Sequence, residues 1–152
     1  MYGTAVSGTI VVGFDDGDIA ERALRRAIEE ARDSGRRLVV VSVLEMPLNP
    51  EGPQNYGTLD DSPARAIPLA QPPELEPVLT HAQALVEAAA LTADYVWAVG
   101  EPADAIINAA KEHHAGLIVL GSHHHGFFAR LLGSDVGAGV KREADCDVLI
   151  VD

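Results

Sequence analysis

The sequence predicts an α/β fold: one five-stranded parallel sheet with helices on both faces. Three observations predict it. Short β-branched runs alternate with longer segments of helical period along most of the chain. The runs are nearly continuously apolar, as strands covered on both sides are. The helical segments between them are long enough to return the chain across the sheet, so that successive strands run the same way.

The first strand is Ile10-Val11-Val12, ending at Gly13 and Phe14 before a turn at Asp15-Asp16-Gly17. Ala20, Ala23, Leu24, Ala27, Ile28 and Ala31 then recur at spacings of three and four, one face of an amphipathic helix. Asp18 is placed to cap that helix, Glu21 to complete a capping box, and Gly35 to end it. Leu38 to Leu44 is the second strand. A second helix carries Leu75, Val78, Leu79, Ala82, Leu85, Val86 and Ala89, and Tyr95 to Val99 is the third strand. Pro102 suits the first turn of a third helix, with Ala103, Ile106, Ile107 and Ala110 on its apolar face. Leu117 to Leu120 and Val148 to Val151 are the last two strands, with a helix from about Ser134 to Ala144 between them. The stretch 46–73 holds seven prolines and few large apolar residues, and reads as a long loop. The 152 residues are otherwise of a size for one domain, 1–152.

Charge narrows the function. With 23 acidic and 11 basic residues the net charge is −12, which repels nucleic acid and anionic membrane alike. The arginines Arg22, Arg25, Arg26, Arg32, Arg36 and Arg37 alternate with Glu21, Glu29 and Glu30 and describe a solvated helix face. No apolar run approaches the roughly 18 residues that span a bilayer. Met1 to Gly8 lacks the basic start and apolar segment of a secretory leader, and the single cysteine, Cys146, cannot form an internal disulfide. A cytoplasmic location is the expectation.

In such sheets ligands bind beyond the carboxyl ends of the strands, where strand order reverses. Those ends present Asp15-Asp16-Gly17, Leu44-Glu45, Gly100-Glu101, and the stretch from Gly121 through Gly133-Ser134. Glycines after a strand let backbone N–H groups converge, and a helix opening at Ser134 offers a phosphate its positive end. The same glycines also suit a plain turn, and Asp15 suits the stabilisation of the turn after the first strand. His123-His124-His125 lie too close in one loop for all three to share an ion, and no metal site is expected. Ser122 beside His123 lacks a Gly-x-Ser-x-Gly elbow, so no hydrolytic nucleophile is read there. The third strand ends without the aspartate a phosphoacceptor domain needs. A binding module is expected rather than an enzyme.

The chain resembles the universal stress protein family. The resemblance rests on Gly121-x2-His124-x8-Gly133-Ser134 between the fourth strand and last helix, on the strand ending in Asp15, on Gly100-Glu101-Pro102-Ala103, and on Cys146-Asp147-Val148-Leu149-Ile150-Val151. It spans the chain apart from the proline-rich stretch. It implies a Rossmann-like doubly wound fold of the adenine-nucleotide α-hydrolase kind, a stress-response regulatory role, and ATP or AMP with Mg²⁺ as possible ligands. Residue by residue, Asp15 and the backbone of Val41 match contacts to adenine. Leu120, Gly121 and His124 match the phosphate loop, and Gly133, Ser134 and Asp135 match residues holding ribose and phosphates. His124 stands where the family pattern has its second glycine, and the interval to Gly133 is one residue short. A family branch that binds no nucleotide is the alternative. The resemblance also implies a homodimer through the last strand, 148–151, and a regulatory protein partner whose identity the sequence does not carry.

Overall fold

The computed structural model describes residues 8–45, 71–122 and 146–152. Their elements, in chain order, are β1 (Thr9–Gly13), α1 (Asp18–Ser34), β2 (Leu38–Glu45), a short 3₁₀ turn (Pro73–Leu75), α2 (Glu76–Ala88), β3 (Asp94–Gly100), α3 (Pro102–Glu112), β4 (Ala115–Gly121) and β5 (Asp147–Val151). Every expected strand is present, most of them a residue or two longer than the apolar run alone. The helix expected over 134–144, and all of the proline-rich stretch before residue 71, lie outside the described residues.

The strand order is β3-β2-β1-β4-β5, and all four pairings are parallel. The chain winds outward from β1 to β2 and β3, then crosses to the other side for β4 and β5. Because side chains alternate across a strand, one run of valines serves two cores. Ile10, Val12, Leu38 and Val40 pack under α1 and α2, against Leu24, Ala27, Ile28, Ala82 and Val86. Val11, Val39, Val41 and Val43 point the other way and pack with Ile106, Ile107, Ile118 and Leu120 beneath α3. Each such valine, leucine or isoleucine side chain, fully buried, contributes about 1.5–3 kcal/mol.

Helix α1 shows the apolar spacing at work. Its six buried residues are the six picked out by period. Its C-terminus closes on Gly35 at φ 76°, whose N–H donates to the carbonyl of Ala31 at 2.8 Å. Its N-terminus departs from expectation. The capping position is Gly17, not Asp18, and no side chain caps it. Asp18 is instead the first helical residue, and Glu21 pairs with Arg25 at 2.7 Å. The reason lies upstream: the Asp15 carboxylate already accepts the N–H of Gly17 at 3.1 Å, so the turn is held from before the helix.

Tyr95 on β3 packs against the α1–α2 core. Partial burial pushes its phenol above the ordinary 10.0, and the negative charge of Glu87 pushes the same way. The folded state therefore holds the phenolic proton more tightly than the unfolded chain. This contribution to stability is whole below about pH 10 and is lost as pH rises from there through the raised value. Tyr95→Phe is expected to flatten the loss of stability above pH 10, measured by thermal melting. Absorbance at 295 nm of the native protein should show one of the three tyrosines ionising late.

Candidate functional site

The point where strand order reverses lies between β1 and β4, at their carboxyl ends. Phe14 continues the β1 ladder by donating its N–H to the carbonyl of Val41 at 2.9 Å. The carbonyl of Phe14 accepts the hydroxyl of Ser42 at 2.8 Å, and Ser42 is the one fully buried polar side chain among the described residues. A serine inside a valine strand thus finishes off the end of β1, where a missing partner would cost about 1–3 kcal/mol. Asp15 follows, half-buried, with one carboxylate oxygen on Gly17. Asp16 sits in the left-handed region at φ 74°, which aspartate tolerates better than most residues.

Helix α2 leans on this turn through a histidine. The ring of His81 meets that of Phe14 edge-on, centroids 5.5 Å apart and planes at 74°. Its Nδ1 lies against a carboxylate oxygen of Asp16. Sequence reasoning placed His81 on a helix and no further, since residues 65 positions apart give no local signal of their meeting.

On the other side of the crevice, Leu120 is wholly buried in the core beneath α3, so its main chain is what it offers a ligand. Gly121 ends β4 against the first turn of α1. A Cβ built on it would meet Ile19 Cγ2 at 2.8 Å and the Ile19 carbonyl oxygen at 3.2 Å. The glycine is therefore required by packing alone. Ser122 extends the ladder to β5, its N–H donating to the Val151 carbonyl at 2.7 Å and its hydroxyl to the Asp152 carboxylate. Arg22 on α1 reaches the main-chain oxygen of Asp152 at 3.4 Å.

Of the residues singled out from sequence, Asp15 and Gly121 come to neighbouring strand ends on the two sides of the reversal. Val41 does not reach the mouth. Its carbonyl is engaged by Phe14 and its side chain packs beneath α3. The β1–β2 register stops at the Gly13–Val41 pair, while β2 continues beside β3 as far as Glu45. The residue on the same edge of β2, one step past the end of β1, is Val43. Strand register, which the sequence does not display, decides between the two. His124, Gly133, Ser134 and Asp135 lie outside the described residues, as do His123 and His125.

The rim formed by Asp15, Asp16 and Asp18 is acidic, beside the positive end of α1. Groups of three or more potential metal ligands do not occur among the described residues, nor does a helix long and apolar enough to cross a membrane. The architecture is that of a doubly wound α/β sheet with its crevice between β1 and β4.

Comparison with known proteins places it more closely. Residues 7–152 match the Universal stress protein family. A universal stress protein of Mycobacterium tuberculosis is 33% identical over 144 residues, covering 94% of each chain. Among solved structures, a universal stress protein in complex with cAMP aligns over 95% of this chain and 96% of its own, at 31% identity and TM-score 0.66. One from Archaeoglobus fulgidus in complex with dAMP aligns over 95% and 98%, at 26% identity and TM-score 0.63. The chain belongs to the universal stress protein family.

Gly121→Ala is expected to destabilise the protein by about 1–3 kcal/mol in urea denaturation, ligand or no ligand. Adding Ile19→Ala should recover only part of that loss, because the Ile19 carbonyl remains in the way.

Proposed function

We propose that this protein is a regulatory module that binds an adenine nucleotide in the crevice between β1 and β4 and acts by presenting a different surface when loaded. The observation that carries the reading is the position of Asp15, at the end of the central strand and across the strand-order reversal from Gly121. Asp15 accepts a hydrogen bond from the adenine amino group, and the backbone of Val43, rather than that of Val41, lines the base. Leu120, Gly121, His124, Gly133, Ser134 and Asp135 supply the phosphate side.

Solved relatives with cAMP and with dAMP support an adenosine monophosphate as the ligand class. Charge supports the same choice over ATP. The net charge is −12 and Asp15, Asp16 and Asp18 stand on the rim, so every added phosphate charge is repelled unless Mg²⁺ screens it. The site binds and signals rather than turning over. Two copies associate through β5, which forms one edge of the described sheet, in a two-fold homodimer within the cytoplasm.

Calorimetric titration with cAMP, AMP and ATP, each with and without Mg²⁺, tests the ligand. Binding of either monophosphate is expected at least tenfold tighter than that of ATP without Mg²⁺. Asp15→Ala should abolish the heat while leaving a folded protein. Absence of heat with all three nucleotides would assign the chain to the branch that binds none, and sedimentation with a β5 variant, Leu149→Lys, checks the dimer.

A further inference from the structure

We propose that the outer edge of β3 is a docking site for an extended, basic segment of a partner protein, which adds to the sheet as a further strand. β3 is the edge opposite β5, and among the described residues it pairs with β2 alone. The hydrogen-bond parity is fixed by two bonds: Ile10 donates to Arg37, and Phe14 donates to Val41. Odd-numbered residues of β2 therefore face β1, and Val40, Ser42 and Leu44 face β3. With Val40 opposite Tyr95 and Ser42 opposite Trp97, the peptides of Tyr95, Trp97 and Val99 point outward, away from β2.

Natural edge strands are normally blunted by lysine, proline, a bulge or shortness. This one has none of them. It runs seven residues, Asp94 to Gly100, in unbroken register with β2, and its sequence is rich in aromatic and β-branched residues. Val99, at 46% exposure, is the single exposed large hydrophobic among the described residues. Beside it, a groove of about 330 Å³ runs between β3 and α3.

The charge around that groove selects the occupant. Among the described residues Glu101, Asp104 and Glu112 line it, and neither lysine nor arginine does. A second copy of the chain is a poor fit: Asp94 is already paired with Arg37 at 2.6 Å, each copy brings the same carboxylates Glu101, Asp104 and Glu112 to the edge, and the chain carries a net charge of −12. An extended segment with alternating apolar and Lys or Arg residues meets the outward peptides, Val99 and the carboxylates together. The carboxylates act against self-pairing and for a basic partner at once.

Trp97 is the only tryptophan in the chain, so its emission reports the edge directly. The probe is the blocked peptide Lys-Val-Lys-Val-Lys-Val-Lys, with Glu-Val-Glu-Val-Glu-Val-Glu as its counterpart, titrated into the full chain. The basic peptide should give a saturable emission shift at least tenfold tighter than the acidic one, weakening as salt rises. Val99→Pro removes one outward N–H without touching the β2 ladder and should abolish the response. Glu101→Gln with Asp104→Asn, which leaves the strand intact should the proline variant misfold, should weaken binding at least fivefold. Equal response to both peptides, no saturable shift with the basic one, or a shift that neither variant alters would overturn the proposal. So would self-association in sedimentation that the double carboxylate variant strengthens, which would assign the edge to a second copy.

Discussion

The rest of the structure depends on β1 having strands on both sides. Its backbone is bonded to β2 in one direction and β4 in the other, and its residues Ile10, Val11 and Val12 are fully buried. A parallel sheet that grows outward in both directions from a central strand must leave that strand's carboxyl end between two connections departing to opposite faces. The crevice is thus a topological consequence, present before any side chain is chosen. What the side chains do is furnish it: Ser42 closes the last carbonyl of the ladder, Asp15 turns the chain into α1, and Gly121 lets α1 come close.

The two faces of the sheet have different work. Among the described residues the α1–α2 face holds more of the buried helix side chains, and through His81 it reaches the turn at Asp16. An exposed pair of this kind contributes about 0–1 kcal/mol, so its effect is on position more than on stability. The α3 face is built on Ile106 and Ile107, and borders the groove beside β3. A change at the β1 turn has a direct path to α2, while the groove lies across the sheet from it.

Most of the fold was legible in the sequence because the strands are β-branched runs and α1 has a clean apolar period. What escaped was what depends on residues far apart. The start of α1 was read one residue late because the carboxylate holding the turn belongs to Asp15, ahead of the helix. Val41 matches an adenine contact by resemblance, but the register leaves its carbonyl bonded to Phe14, short of the mouth. His81 was seen only as a helix residue. The parallel direction of the strands followed from their alternation with helices, whereas the edge at β3 needed the strand order to be known.

Gly121 has a bearing on how members of this family are sorted. A residue held small by its neighbour Ile19 stays small whether or not a ligand has ever occupied the adjoining space. A glycine at the end of β4 therefore says nothing by itself about whether this chain takes a nucleotide.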